Sequence, residues 1–185
     1  MMWSRQKQQG IALVTALIFM VVLTLLSVAA MRTTGLEEKM AANALNQDLA
    51  FQSAEAAVRE GIFQVIGGTI TTTSGFVSGC TTTTPKGLCL PSTTATPIWN
   101  TVLPFGQTTG SSAAQTYAGV ALSGIALQPQ YIIELLPNVT VPPGNSIGIG
   151  LGAGAGTATP YRITARGWGL APEAQATTQT TYLYN

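Results

Sequence analysis

The feature that most constrains this chain is an uninterrupted apolar run near its start. Residues Ile11 to Ala30 read IALVTALIFMVVLTLLSVAA, twenty consecutive residues without a charge. As an α-helix with a rise of about 1.5 Å per residue, such a run spans about 30 Å, the hydrocarbon thickness of a bilayer. The sequence therefore has to place this segment in lipid or among other apolar helices.

Three interpretations of the run remain open at this point. It can be a retained membrane anchor, or a secretory signal peptide with small residues for cleavage at Ser27–Ala29. A signal peptide is less favoured, because its apolar region usually covers only about 7–15 residues. In the third interpretation the short basic leader ending at Gly10 is removed, and the apolar helix starting at Ile11 stays. Basic residues lie on both sides of the run, so the positive-inside rule does not orient it.

The helical pattern continues beyond the apolar run. Apolar residues recur at steps near 3.6, which predicts one helix of about 50 residues with an amphipathic second half. Gly35 is a point where this helix can loosen, and Gly61 or the Gly67–Gly68 pair can end it. We expect the amphipathic stripe to pack on a sheet, with a helix packing face formed by Leu36, Met40, Phe51, Val58 and Ile62.

Two segments within this helix carry a family resemblance. RTTGLEEKMAAN (Arg32–Asn43) and AFQSAEAAVREG (Ala50–Gly61) are similar to the N-terminal region of PilX-type minor pilins of type IV pili. The resemblance implies that the chain is a prepilin cut by a membrane prepilin peptidase. Gly10 would then be the last leader residue, and Ile11 the first residue of the mature, N-methylated chain.

Thr15 departs from the usual pilin pattern. It is the fifth residue after Gly10, where most pilins carry a glutamate that is thought to pair with the N-terminal amine of a neighbouring subunit. A carboxylate in an apolar environment is costly unless it is paired, whereas a threonine hydroxyl can bond a carbonyl one turn back. A subunit added first has no amine ahead of it. We therefore expect this protein at or near the pilus tip.

Composition argues against catalysis. The chain has no histidine, which removes the commonest general base, the Ser-His and Cys-His dyads and most zinc sites. Only Glu134 and Glu173 are acidic beyond residue 60, so a paired-carboxylate hydrolase is poorly supported. We expect no enzyme activity, no cofactor and no metal. The net charge of +1 gives no basis for nucleic-acid binding.

The middle of the chain, residues 69–117, is rich in Thr and Ser and is predicted to form loops and short strands. Cys80 and Cys89 bracket a turn-forming segment, and a disulfide between them is the natural interpretation in an oxidising periplasm, with two unpaired buried thiols as the alternative. A GxGxxA string at Gly148, Gly150 and Ala153 lacks a surrounding βαβ unit, so we do not interpret it as a nucleotide site.

The C-terminal part predicts a sheet. Three strands are expected at Gln130–Pro137, Tyr161–Gly169 and Thr177–Asn185, and the second and third resemble the end of PilX-like proteins. In the second strand Tyr161, Ile163 and Ala165 alternate with Arg162, Thr164 and Arg166, as in an antiparallel sheet with one covered face. Arg162 and Arg166 are expected to lie on a solvated face.

The predicted architecture is α+β and pilin-like, with a long N-terminal helix on a small antiparallel sheet. The expected parts are a leader (1–10), a membrane or filament-core helix (11–32), an amphipathic helix (33–66) and a periplasmic globular domain (67–185) that contains the C-terminal sheet (130–185).

The resemblance implies a structural role in pilus assembly, with a cytoplasmic N-terminus in the inner membrane before assembly and a later place in the extracellular pilus. The implied partners are other minor pilins, the major pilin and the prepilin peptidase, with a large tip adhesin as a further candidate. Two alternatives remain, a tip pseudopilin of type II secretion and an adhesion module that binds through the Thr-rich middle region.

Overall fold

A computed structural model describes residues 11–67, 69–70, 74–83, 85–141 and 156–184. The chain divides into two compact units, one ending at Ala44 and the other starting at Leu45. The first unit consists, in its described part, of the beginning of helix α1 (Ile11–Ile66), and the second contains the rest of that helix and all other elements.

Helix α1 covers 56 residues, which agrees with the length predicted from periodicity. It contains no proline and is rich in Ala and Leu, so little opposes a continuous helix. The helix runs through Gly35 and Gly61 and ends at Ile66, where the N–H of Gly67 donates to the carbonyl of Phe63 at 2.6 Å. Gly61 therefore does not end the helix, although the sequence offered it as a candidate.

The remaining elements belong to the second unit. They are β1 (Leu88–Cys89), α2 (Ile98–Val102), β2 (Gln115–Thr116), β3 (Gln130–Leu135), β4 (Val139–Val141), β5 (Gly156–Trp168) and β6 (Gln175–Tyr184). The three strands expected from the sequence correspond to β3, β5 and β6. The short helix α2, which follows Pro97, was not predicted. The glycines and alanine of the GxGxxA string lie outside the described residues.

Strand β5 is the centre of the sheet. Along one edge it pairs antiparallel with β6, from Thr159 opposite Tyr184 to Trp168 opposite Gln175. Along its other edge it pairs antiparallel with β3 and, nearer its start, with β4. On the far side of β3 lie β2, which is antiparallel, and the two-residue β1, which is parallel. The sheet is therefore mixed, whereas the sequence predicted only its antiparallel strands.

The sheet has two covered faces. On one face, α1 packs against alternate residues of β3 and β5, in a core of Ala57, Val58, Val65, Ile70, Phe76, Leu88, Tyr131, Ile133, Tyr161, Ile163 and Ala165. On the other face, α2 and neighbouring loops pack against Ile132, in a smaller core of Cys80, Cys89, Ile98, Val102, Leu103, Ala114 and Ile132. The predicted inward alternation of Tyr161, Ile163 and Ala165 is confirmed, and the fold class is α+β.

Glycines allow the helix and the sheet to approach closely. A Cβ added to Gly61 would lie 2.7 Å from Cγ2 of Ile163. A Cβ added to Gly167 would overlap the Oγ of Ser53 and the backbone of Ala50 and Ala54. Because backbone atoms cannot move aside as a flexible side chain can, Gly167 is a position where the contact leaves no room for a side chain.

We predict that Gly167→Ala lowers the free energy of unfolding by about 3 kcal/mol, since the new methyl group overlaps helix backbone. Gly35→Ala is the matched control. It has no atom within 4 Å of the added Cβ and gains up to about 1 kcal/mol of helix propensity. Denaturant unfolding of the full chain in detergent, followed by tryptophan fluorescence, measures both. Equal effects of the two substitutions would contradict the close approach.

Candidate functional site

The first unit presents an apolar helix surface that has no partners among the described residues. An 18-residue window of α1 has a mean hydropathy of 2.8, and none of it is buried, so the helix is long and apolar enough to cross a membrane. Large side chains such as Leu13, Phe19 and Leu25 are exposed over more than half of their surface. Exposed apolar area on this scale marks a surface that contacts lipid or other proteins.

Polar side chains within this helix bond to its own backbone. The hydroxyl of Thr15 lies 3.0 Å from the carbonyl oxygens of both Ile11 and Ala12, and those of Thr24 and Ser27 donate to carbonyls three and four residues back. Each hydroxyl is thereby satisfied without water or a partner helix, which makes Thr15 compatible with an apolar environment. Ile11 is the first residue of the helix, and Gly10 lies outside the described residues.

The helix packing face differs from the one expected. Val58 is buried and Ile62 packs against the core, but Phe51 is 51% exposed and both Leu36 and Met40 are exposed over more than half of their surface. The buried face consists mainly of small residues, namely Ala50, Ser53, Ala54, Ala57, Val58, Gly61, Gln64 and Val65. Small side chains let the sheet come close, and this turns the larger Phe51 outward.

Two polar contacts fix the helix on the end of β5. The Oγ of Ser53 donates to the carbonyl of Trp168 at 3.1 Å, and Oδ1 of Asn46 accepts from the N–H of Ala171 at 3.3 Å. Sequence reasoning missed these residues, because polar positions in an amphipathic stripe look like its solvated side. The Ala and Gly spacing at Ala50, Ala54, Ala57 and Gly61 was the signal that could have indicated a close-packed face.

Arg162 forms a buried ion pair across the sheet. Its Nε and Nη2 donate to the two carboxylate oxygens of Glu134, at 2.9 and 2.6 Å, from directly opposite positions of β5 and β3. Glu134 is fully buried and the Arg162 side chain is 28% exposed. The hydrogen bonds to the carboxylate raise the pKa of Arg162. The expected solvated face is thus corrected for Arg162, because a partner for its charge lies on the neighbouring strand.

Arg166 lies on the same face of β5 and is also buried, with 1% of its surface exposed. Its Nε and Nη2 both donate to the hydroxyl of Thr177, and the ring of Phe105 lies over its guanidinium at 5.2 Å. Burial lowers the pKa of Arg166 to about 10. The expected solvated position is corrected here too, because the loop after α2 covers the end of the strand.

Cys80 and Cys89 form a disulfide, with their Cα atoms 4.1 Å apart. Both cysteines are buried in the smaller core, on the face of the sheet opposite α1. The disulfide joins Cys80 to Cys89 of β1, and Cys89 lies opposite Glu134 of β3 in the sheet. No cluster of three metal-binding side chains occurs in the part of the chain that the structure describes.

Comparisons with known protein families give two matches. The model described as type IV pilus assembly protein PilX C-term matches residues 79–184, and the model described as PilX N-terminal matches residues 9–59. No curated protein and no solved structure matches the chain. The two family matches cover both the helix and the sheet described above.

The Glu134–Arg162 pair gives a testable prediction. Glu134→Leu leaves Arg162 without its carboxylate and is expected to lower the free energy of unfolding by about 3 kcal/mol. The double variant Glu134→Leu, Arg162→Leu removes both charges and is expected to lose about 2 kcal/mol less than the sum of the single variants. Denaturant unfolding of the wild-type chain, Glu134→Leu, Arg162→Leu and the double variant measures this coupling free energy. Additive losses would contradict the pairing.

The disulfide gives a second prediction. Replacing both Cys80 and Cys89 by Ala is expected to lower the free energy of unfolding by about 2–3 kcal/mol, because a short loop in the unfolded chain is no longer closed. Unfolding of the wild-type chain with and without a thiol reductant is the parallel measurement, and the reduced chain should lose a similar amount. A wild-type chain insensitive to the reductant would show that the bond contributes nothing to stability.

Proposed function

Because this chain belongs to the PilX family of type IV pilus assembly proteins, we propose that it is a minor pilin that starts or caps the pilus. Its role is structural, and association between apolar helices carries it. The observation that supports this most directly is the beginning of α1, whose large apolar side chains have no partners within the described chain. Lipid covers such a surface before assembly, and the helices of other subunits cover it afterwards.

The proposal includes processing of the N-terminus. Prepilin peptidase removes residues 1–10 by cleavage after Gly10, and the new N-terminus at Ile11 is methylated. Residues 11–32 then anchor the chain in the inner membrane, and residues 33–66 continue the helix into a periplasmic domain, residues 67–185. The buried disulfide of the second unit is compatible with a periplasmic place for this domain.

The place at the tip is proposed from Thr15. A glutamate at this position needs a positive partner, and a subunit added first meets none ahead of it. The threonine hydroxyl bonds to the carbonyls of Ile11 and Ala12 instead, so the side chain needs no partner from another subunit. The proposed partners are other minor pilins and the major pilin, with a tip adhesin as a further candidate.

The two alternatives are less well supported. The matching family models concern type IV pilus assembly, which favours a pilus over a type II secretion system. The Thr-rich middle region supplies β1, α2, β2 and most of the smaller core on the face opposite α1. It therefore has a structural role that does not require adhesion. Deleting it would remove this core, and adhesion is better tested with substitutions on exposed positions.

Substitution of Thr15 tests the proposed place. We predict that Thr15→Glu reduces the number of pili several-fold, because a carboxylate at this position of the first subunit stays unpaired in an apolar environment. Thr15→Val is the matched control, since it has a similar volume and carries no charge, and it should leave the pili near wild-type number. Pili are counted by electron microscopy in cells that express each variant at equal level.

Gold labelling of the protein on sheared pili supplies an independent readout of its position. Label at one end of the filament is the expected result. Label spread along the shaft, together with normal pili in the Thr15→Glu strain, would contradict the tip proposal. The protein would then be a subunit of the shaft.

A further inference from the structure

A second candidate site lies on the face of the sheet opposite α1. Here α2 and the loop after it border a cavity of about 510 Å³ over the ends of β5 and β6. Its lining includes two aromatic residues, Trp99 and Phe105, together with Arg166, Asn100 and Gln179. Nε2 of Gln179 donates to the hydroxyl of Thr164 at 2.7 Å. Neither the pilus assignment nor the helix contacts use these residues, so the cavity calls for an explanation of its own.

The wall of this cavity is held in place by hydrogen bonds. The backbone carbonyl of Gln107 accepts from Nε1 of Trp168 at 3.0 Å and from Nε2 of Gln175 at 2.7 Å. The Oε1 of Gln175 in turn accepts from the N–H of Gly106. The loop that carries Phe105 is therefore held by hydrogen bonds to Gln107 and Gly106, while the Phe105 residue is 68% exposed.

Among the residues that the structure describes, the guanidinium of Arg166 has no counterion. Its Nε and Nη2 share one acceptor, the hydroxyl of Thr177, and Nη1 has no partner among the described residues. All seven acidic side chains of the protein lie in the described part of the chain, and the ion pair found there joins Glu134 to Arg162. Arg166 thus stays a buried positive charge with one neutral acceptor.

Such an arrangement is costly in an isolated domain. A buried charge is normally paired and hydrogen-bonded, and a single hydroxyl replaces little of the hydration that a guanidinium loses. Arg162, four residues earlier on the same face, meets this requirement with a carboxylate, which shows what Arg166 lacks. The lowered pKa of Arg166, about 10, has the same cause, since burial disfavours its charged form.

We propose that this cavity binds a small carboxylate carried on a ring. The carboxylate accepts from Nη1 of Arg166, which has no partner among the described residues, while Nε and Nη2 stay bonded to Thr177. The charge on the guanidinium strengthens this hydrogen bond. The ring of the ligand stacks on the aromatic wall formed by Trp99 and Phe105, and Phe105 turns aside to admit it. Asn100 and Gln179 offer amides to polar substituents.

The charge and the size of the cavity restrict the ligand class. Arg166 supplies one positive charge, so it balances a carboxylate but leaves a phosphate dianion partly uncompensated. The volume of about 510 Å³ is far more than a carboxylate fills, and two aromatic side chains at the wall favour a ring for the remainder. An aromatic acid and an acidic sugar share this chemistry, and the experiment separates them.

Isothermal calorimetry on the full chain in detergent tests the proposal. Phenylacetate and a hexuronate represent the two sources, and phenylacetamide and the corresponding neutral hexose are their uncharged counterparts. We expect at least one acid to bind, and its neutral counterpart to bind at least about tenfold more weakly, because a charge-assisted hydrogen bond is lost. Binding of phenylacetate alone identifies the aromatic class, and binding of the hexuronate alone identifies the sugar class.

Two substitutions test whether the ligand binds at this cavity. Arg166→Gln is expected to weaken the acid at least about tenfold. Arg59→Gln, which removes an exposed arginine on α1, is the matched control and should leave the affinity unchanged. If Arg166→Gln does not fold, the affinities of the acid and its neutral counterpart for the wild-type chain test the role of the charge. Loss of the ligand-induced fluorescence change in Trp99→Phe then locates the ligand at this cavity.

Three results would overturn the proposal. One is the absence of binding by both acids up to about 10 mM. The second is equal affinity for an acid and its neutral counterpart, and the third is an affinity that responds to Arg59→Gln as strongly as to Arg166→Gln. None of these results bears on the pilus assignment, because the cavity and the apolar beginning of α1 share no residue.

Discussion

The second unit depends on the close contact between the backbone of α1 and the end of strand β5. Gly167 has no side chain, so Ala50 and Ala54 of the helix can lie directly against it. Ser53 adds a hydrogen bond to the carbonyl of Trp168 in the same place. With helix and strand fixed at this point, the alternating apolar residues of β5 enter one core, and the polar residues of the strand face the opposite side.

That opposite side has a different chemistry. It carries two arginines of β5 that occupy equivalent positions in the alternating pattern but have different partners. Arg162 meets Glu134 on the neighbouring strand, whereas Arg166 is covered by the loop after α2 and contacts the hydroxyl of Thr177 and the ring of Phe105. The helix-facing side thus supplies stability through close packing, and the other side holds one buried charge that has no carboxylate partner among the described residues.

Much of the architecture was predictable, and the reasons are physical. The length of α1 followed from the apolar run and the 3.6-residue repeat, and β3, β5 and β6 followed from alternation. The buried face of α1 was predicted less well, since periodicity ranks large side chains first, while the observed contact selects Ala, Ser and Gly. The Glu134–Arg162 pair and the parallel strand β1 depend on the register between distant segments, which no local pattern encodes.

We propose the apolar beginning of α1 as the assembly helix of a processed pilin. The mature N-terminus tests it most directly, by intact mass and terminal peptide sequencing of the protein from membranes and from sheared pili. A methylated chain that begins at Ile11 is the predicted result. A chain that begins at Ala30 would instead be a secreted domain, and one that begins at Met1 or Met2 would be an unprocessed membrane protein, and either would contradict the account.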